Sequence, residues 1–329
     1  MIFRRIAVVG ASGFVGRHLL SELVNNGIKV RAISRRPDLV KRQSLYLGLV
    51  DWCHGNVVTG EGLAEAFAGV DAVINLSGAL VDSKRNHLDK VNAMGPANIV
   101  AAMRQTGVKR LVHVSALGAD SNSESRYFQS KGMGERAALV DDLDVTVLRP
   151  SLIFGSGDST ITRFARMARM LPVMPMIGCG TVKMQPIWAE DVVTPMIQCL
   201  DQRKTFGQTY DLGGPEVFTM RQILTMTMAA AIGKQRPILP IPLGMADLLA
   251  GAVSFLPGKI LTSEMVDGAR VDSVCSDNAM TSVFGLKPRG MTWVLPTYIG
   301  QFDPYHRDRM LHALDQHEVK ELGLDRTKA

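Results

Sequence analysis

The chain of 329 residues is 46% hydrophobic, the composition of a soluble globular protein able to bury a sizeable core in one large or two intimately joined domains. Its 37 basic and 31 acidic side chains give a formal net charge of +6, but the two signs are interspersed, which argues against nucleic acid as a partner and leaves anionic small molecules or an anionic membrane surface. The four cysteines, Cys53, Cys179, Cys199 and Cys275, form no C-x-x-C pair and have no histidine at ligand spacing, so reduced thiols in the cytoplasm are expected and a metal site is not.

In chain order, "RIAVVG" reads as a first strand beginning near Arg5, which leaves no room ahead of it for a cleavable leader, so secretion is not expected. "GRHLLSELVNNG" is its helix, with Gly27 placed to stop it, and "KVRAIS" is a second strand. "LAEAFAGV" predicts a short helix, "DAVINLSG" a strand, "LDKVNAMGPANIVAAMRQTG" a long helix and "RLVHVSALG" another strand. "SRYFQSKGMGERAALV" is helical again, and "VTVLRPSLIFG" is expected to close the sheet. Such alternation predicts an α/β fold, a doubly wound parallel sheet with helices on both faces. Later, "PILPIPLGMADLLAGAVSFLPGK" is apolar but broken by Pro237, Pro240, Pro242 and Pro257 and carries Asp247. Its uninterrupted part is shorter than the roughly 20 residues of a spanning helix, so a buried or interfacial helix is expected.

The stretch "VVGASGFVG" places glycines at a strand-to-helix turn. Gly10 permits the tight turn, Gly13 lets a diphosphate approach the backbone, and Gly16 lets helix and strand pack closely, while the helix N-terminus offers N–H groups and a positive dipole to the anion. Ser12, Phe14 and Val15 complete this expected cofactor loop. At the end of the second strand, where an NAD site usually carries an acid for the ribose 2′-hydroxyl, the chain has Ser34, Arg35 and Arg36 instead. Two guanidiniums and a hydroxyl suit a 2′-phosphate, which favours NADP over NAD.

Tyr127 and Lys131 stand four apart and share one helical face. An ammonium held near a phenol would favour the phenolate and bring its pKa toward a useful range for proton transfer. Ser115, at the end of "LVHVS", is placed to orient a carbonyl or alcohol oxygen, so Ser115, Tyr127 and Lys131 form the candidate catalytic set.

With these residues in order, the sequence resembles the short-chain dehydrogenase/reductase superfamily in its extended or atypical branch, the NAD-dependent epimerase/dehydratase family. "GASGFVG", "GNV", "NLSGA", "VNAMGPANIV", "HVSALGA", "YFQSK" and "LRPSLIFGSGD" carry the resemblance across most of the chain. The resemblance implies a Rossmann-type domain. It also implies that Asn56 and Val57 border the adenine, that Leu76, Ser77 and Gly78 line the cofactor with Asn92 and Pro150, and that Lys131 also holds the nicotinamide ribose. Asn56 departs from the aspartate that many relatives carry. In the second half, "FARMARMLPVMPMIGCGTVKMQPIWAEDVV" is similar to bacterial relatives of the dehydrogenase-like accessory subunit of respiratory complex I. That likeness implies a site which can bind NADPH structurally, without turnover.

Other residues invite plainer readings. His113 is expected to be a packed core residue, and Trp52 and His54 to flank the adenine end or cap a strand. Arg163, Arg166 and Arg169 read as a solvated face, with contact to an anionic substrate, lipid headgroup or partner as the alternative, and the methionines as core fillers, with a greasy pocket the alternative for Met167, Met170, Met174 and Met176. The expected organisation is a dinucleotide-binding domain over 1–150, a smaller mixed domain interwoven with it over 151–300, and a peripheral tail over 301–329. Substrate is expected near Ser115, Tyr127, Ser151 to Asp158 and Gln185 to Trp188. Two functions follow: an NADPH-preferring oxidoreductase, epimerase or dehydratase acting on a carbonyl or alcohol, or a non-catalytic NADPH-binding scaffold for a respiratory complex or quinone metabolism. The protein would be cytoplasmic, with the scaffold placing it peripherally at the inner membrane.

Overall fold

Short apolar runs that alternate with amphipathic ones build a seven-stranded parallel sheet in the computed structural model, which describes residues 3–43, 50–82, 87–246, 266, 268 and 270–300. The strands are β1 (Arg5–Val9), β2 (Lys29–Ser34), β3 (Val50–His54), β4 (Ala72–Asn75), β5 (Arg110–Val114), β6 (Asp144–Pro150) and β7 (Gln208–Leu212), in the order β7-β6-β5-β4-β1-β2-β3. Chain order reverses direction at β1, between β2 and β4, which makes the carboxyl ends of β1 and β4 a topological switch point. Helices α1 (Phe14–Asn25), α2 (Pro37–Gln43), α3 (Leu63–Phe67), α4 (Gly95–Thr106) and α5 (Arg126–Ala138) connect the strands. Beneath the sheet a core of Val9, Ile33, Phe67, Ile99, Met103, Leu111 and Val147 is buried. Each such side chain contributes about 1.5–3 kcal/mol.

Two expectations are corrected. "VTVLRPSLIFG" does not close the sheet, because only Asp144–Pro150 lies in it, and β7 from much later in the chain forms the edge beyond β6. Ile153–Phe154 pairs instead with Ile187–Trp188. The long helix expected over "LDKVNAMGPANIVAAMRQTG" is divided: Asp89–Met94 is a π-helical turn that runs into α4. The helix ends at Gly107, whose φ of +73° is the left-handed conformation of a C-terminal stop.

The chain comprises two compact units. One is Met1–Pro150 with Ala189–Leu212 and Ser276–Leu286, and includes α7 (Ala189–Asp201). The other is Ser151–Trp188 with Gly213–Cys275 and Lys287–Ala329, and holds α6 (Thr160–Met170) and α8 (Met220–Ile232). Its core gathers Phe154, Ile161, Phe218, Ile223, Met226 and Leu295, beside a cluster in which Met174, Met176 and Met228 are buried. Met167 packs against that cluster, whereas Met170 is 74% exposed. No described helix is long and apolar enough to cross a membrane. The greater part of the expected interfacial helix, 247–256, and the tail over 301–329 lie outside the described residues.

Candidate functional site

The glycine loop joins β1 to α1 at the switch point. Gly10 has φ +81°, and a Cβ there would meet the backbone of Leu76 at 2.8 Å and of Ser77 at 2.9 Å. A Cβ on Gly16 would run into the carbonyl oxygens of Gly10 and Ala11, which is the close helix–strand packing expected of that position. Gly13 differs: its Cβ would find only the Gly10 oxygen, at 3.1 Å. Gly13 begins α1 without a side-chain cap, so the first-turn N–H groups of Phe14, Val15 and Gly16 meet no capping side chain. Ser12 is exposed beside them, its carbonyl accepting from Arg17 Nη1 at 3.3 Å.

At the carboxyl end of β2, Ser34 Oγ accepts the Arg36 N–H at 3.2 Å, and Arg35 and Arg36 are both exposed. Ser34 stands opposite His54 on β3, a strand that also contains Trp52. In the next loop Asn56 closes a turn, its Oδ1 accepting the Val58 N–H at 3.0 Å. Asn98 Nδ2 donates to the carbonyl of Val57 at 2.8 Å. The loop of Asn56 and Val57 is therefore fixed by internal hydrogen bonds.

Beyond β4, Leu76 donates its N–H to Val9 at 2.9 Å. Asn75 Oδ1 accepts from both Ser77 N (2.9 Å) and Ser77 Oγ (2.6 Å), which turns its amide NH2 toward His113 Nδ1 at 2.9 Å. The imidazole proton then sits on Nε2. Burial holds His113 down at about 3, so the ring is neutral, a hydrogen-bonded core residue. The Asn75–Ser77–His113 group escaped the sequence reading, since nothing in the spacing of these residues marks them as partners.

Asn92 lies in the π-helical turn, a feature frequent near functional sites. It directs its amide into the protein: Oδ1 accepts the Ala79 N–H at 2.8 Å, and Nδ2 donates to the Ala79 carbonyl at 2.9 Å and to Ser130 Oγ at 3.0 Å. It thus shapes the loop that carries Gly78. A Cβ on Gly134 would collide with the Asn92 carbonyl oxygen, and one on Gly132 with the backbone of Asp120 and Ser121. These two glycines let α5 settle close to its neighbours. Arg149 holds the same helix to β6, bonding Glu135 with both Nε (2.8 Å) and Nη2.

On α5, Lys131 is buried and donates from Nζ to the Val114 carbonyl at 2.9 Å. A Cβ on Gly78 would lie 3.9 Å from Lys131 Nζ and 3.8 Å from Asn92 Oδ1, so the three positions converge. Burial lowers Lys131 to about 8, with Glu135 opposing. Tyr127 is half-buried against Ala79, Leu88 and Val91, and burial pushes its phenol up to about 12. This corrects the expected lowering: the ammonium is committed to the Val114 carbonyl, and desolvation governs the phenol. Ser115 follows β5 directly, its N–H on the Leu148 carbonyl at 2.8 Å, and its Oγ is buried with no partner. Pro150 ends β6, and its carbonyl accepts the Leu117 N–H at 2.9 Å.

Of the expected substrate-side residues, Ser151 Oγ donates to the Ser273 carbonyl at 2.7 Å and Asp158 accepts the N–H groups of Gly155 and Thr162. Gln185 bonds the Gly214 carbonyl and the Cys275 N–H, each at 2.9 Å. Those polar groups serve the framework of the second unit.

Comparison with known proteins agrees with this architecture. Residues 6–213 match the NAD dependent epimerase/dehydratase family. The chain is 28% identical over 83% of its length, and 71% of the relative's, to an Arabidopsis thaliana protein named NADH dehydrogenase [ubiquinone] 1 alpha subcomplex subunit 9, mitochondrial. It is 29% identical to the ceramide reductase of Caulobacter vibrioides over 58% of this chain and 59% of that one. Among solved structures, Thermus thermophilus UDP-glucose 4-epimerase in complex with NAD shares the fold with a TM-score of 0.67 at 20% identity, covering 94% of this chain and all of that one. With a seven-stranded Rossmann-type sheet and a family match over more than half its length, the chain belongs to the NAD dependent epimerase/dehydratase family.

Proposed function

We propose that the protein is an NADPH-preferring oxidoreductase that acts on a carbonyl or alcohol through Ser115, Tyr127 and Lys131. The observation that carries this reading is the Ser115 hydroxyl, buried beyond β5 with no partner of its own in the same unit as an uncapped α1 N-terminus. A buried hydroxyl left unpaired costs roughly 1–3 kcal/mol, and a substrate oxygen would supply its missing hydrogen bond. Gly10, Gly13 and Gly16 with the first turn of α1 would hold a diphosphate, and Arg35 and Arg36 with Ser34 a 2′-phosphate. NAD is the alternative cofactor if the arginines stay in solvent. The nicotinamide supplies the carbon that gives or takes hydride. Ser115 would orient the substrate oxygen, Lys131 the ribose, and Tyr127, protonated at neutral pH, would deliver the proton in the reductive direction. Epimerase or dehydratase chemistry would use the same three side chains.

A second reading, an NADPH-binding scaffold of a respiratory complex at the inner membrane, is favoured by two observations. The relatives in Arabidopsis and Neurospora are named as subunits of mitochondrial NADH dehydrogenase and NADH-ubiquinone oxidoreductase, and Lys131 Nζ is engaged by the Val114 carbonyl. The named ceramide reductase supports the reductase. Mass spectrometry of the nucleotide that copurifies, followed by exchange for its reduced form and single-turnover absorbance with aldehydes and ketones, tests the proposal. Oxidation of bound NADPH in the wild type and none in Tyr127→Phe is the expected result, and equal biological activity of the two proteins favours the scaffold.

A further inference from the structure

The second unit carries a charge asymmetry that the mixed charge of the whole chain conceals. Segment 159–188 has four basic residues and segment 217–246 three, with no aspartate or glutamate in either. Helices α6 and α8 belong to these segments, and each leads through a short loop into one of two paired parallel strands, Met174–Ile177 and Ile238–Ile241. Because Met174 pairs with Ile238, the carboxyl ends of both helices are drawn to the same end of that strand pair. Arg166 stands exposed near the end of α6 and Lys234 just past α8, while Arg169, also exposed, donates from Nη2 to the Ile299 carbonyl at 2.8 Å and keeps its other donors for a ligand. Arg163, one turn before Arg166, is lowered by burial and by that like charge.

Beside these cations are apolar side chains left in solvent. Met170 is 74% exposed and Leu239 59%, with Leu171 and Val173 also exposed. Val173 immediately precedes the residue paired with Ile238, and Leu239 immediately follows Ile238, so the apolar residues of the two segments are neighbours. Cations in the last turn complement a helix dipole, which accounts for a basic residue at each helix end. Dipole compensation gives no reason for four large apolar side chains next to them. Cations beside exposed aliphatic groups, with no carboxylate in either described segment, match a surface that presents negative headgroups above hydrocarbon.

We infer that this face of the second unit docks on an anionic lipid bilayer, with Met170, Leu171, Val173 and Leu239 entering the headgroup region and Arg166, Arg169 and Lys234 meeting lipid phosphates. The docking does not depend on turnover, and it rests on residues other than those of the cofactor site.

The test is co-sedimentation of the full chain with phosphatidylcholine vesicles with and without phosphatidylglycerol. The wild type should bind the anionic vesicles, bind the zwitterionic ones weakly, and be released at 1 M salt, where the screening length falls to about 3 Å. Each basic residue near the surface is worth about fivefold in partitioning, so Arg166→Glu with Lys234→Glu should reduce binding more than tenfold. Met170→Asp with Leu239→Asp should do the same at unchanged melting temperature. A charge-matched control in the other unit, Lys29→Glu with Lys109→Glu, should retain most of the binding. Absence of wild-type binding overturns the inference, as does an equal loss in the control or full binding by the apolar variant. A clear drop in melting temperature for Met170→Asp with Leu239→Asp would assign the patch to burial within the chain itself. Conversion of an oligomer to a monomer by that variant would assign it to self-association. Either outcome overturns lipid docking.

Discussion

Lys131 Nζ donates to the Val114 carbonyl at 2.9 Å, while Tyr127, one helical turn earlier on the same helix, keeps a phenol that burial pushes up to about 12. Two side chains that sequence spacing pairs are thus divided between a backbone acceptor and an apolar pocket. A protonated phenol suits proton donation to an alkoxide, and a positioned general acid is worth roughly 10²–10⁴-fold in rate. Tyr127→Phe should therefore lower turnover by at least about 100-fold and change NADPH affinity by less than about twofold. Steady-state kinetics beside calorimetry checks this, and a variant that keeps its rate excludes Tyr127 as the proton donor.

The buried ammonium also makes a prediction about stability. Lys131 titrates at about 8 in the folded chain against an ordinary 10.5, so between those values the unfolded chain holds more protons and stability rises with pH. Below pH 8 the burial cost of the charge is present in full, about 3 kcal/mol from a shift of this size. Lys131→Met removes that cost and loses one hydrogen bond worth about 1 kcal/mol. The variant should be more stable than wild type by about 2 kcal/mol at pH 7; the difference should shrink above pH 8, reach zero near about pH 10, and above 10.5 turn to about 1 kcal/mol in favour of the wild type, which keeps its hydrogen bond without the charge. Urea unfolding at three pH values measures it. A difference that stays constant or widens with pH contradicts the assignment.

Much of the sheet was legible because local and global signals agree. β1, β2, β4 and β5 are buried apolar runs flanked by glycine or turn residues, and their helices show the 3.6-residue period. β3 and β7 were missed for one reason: each lies at an edge of the sheet and is half-exposed, so "VDWCH" and "QTYDL" carry polar and aromatic residues without a clean alternation. At the candidate site, Gly10 and Gly16 could be read because only glycine fits their backbone conformation or packing. The direction of Lys131 could not, since its partner is a carbonyl, and every residue has one. Nor could the Arg149–Glu135 pair that holds α5, because spacing along the chain says nothing of which strand a helix lies against.

Gly13 and Gly16 separate folding from cofactor binding. A methyl on Gly16 meets backbone carbonyls, Ala11 O at 2.6 Å among them, and backbone cannot yield cheaply. Gly16→Ala should cost about 2–3 kcal/mol or more, as overpacking does. Gly13 has φ −72°, which alanine adopts readily, and its methyl would meet only the Gly10 oxygen at 3.1 Å. Gly13→Ala should cost about 1 kcal/mol in stability, yet weaken NADPH binding at least tenfold because the methyl occupies the path of the diphosphate. Thermal unfolding and calorimetry on both variants make the comparison, and NADPH affinity preserved in Gly13→Ala would falsify this placement of the diphosphate.

The choice of dinucleotide turns on Arg35 and Arg36. Both are exposed at the carboxyl end of β2, and the Arg36 N–H is already drawn onto Ser34 Oγ at 3.2 Å, which organises the turn before any ligand arrives. No carboxylate stands at Ser34 to take the 2′-hydroxyl of NADH, while a 2′-phosphate would gain charge-assisted hydrogen bonds worth about 1.5–3 kcal/mol each. Part of that gain is lost to screening, because the guanidiniums are solvated. A preference for NADPH over NADH of roughly 10- to 100-fold is therefore expected at low salt, declining as salt is raised. Arg35→Ala with Arg36→Ala should remove the preference by weakening NADPH alone, leaving NADH affinity and melting temperature near wild type. Restoring the usual acid with Ser34→Asp in that background should turn the preference toward NADH. Titration calorimetry with both cofactors on the three proteins decides the matter: a wild type that prefers NADH, or a double variant that loses both cofactors equally, rules out the 2′-phosphate site at these arginines.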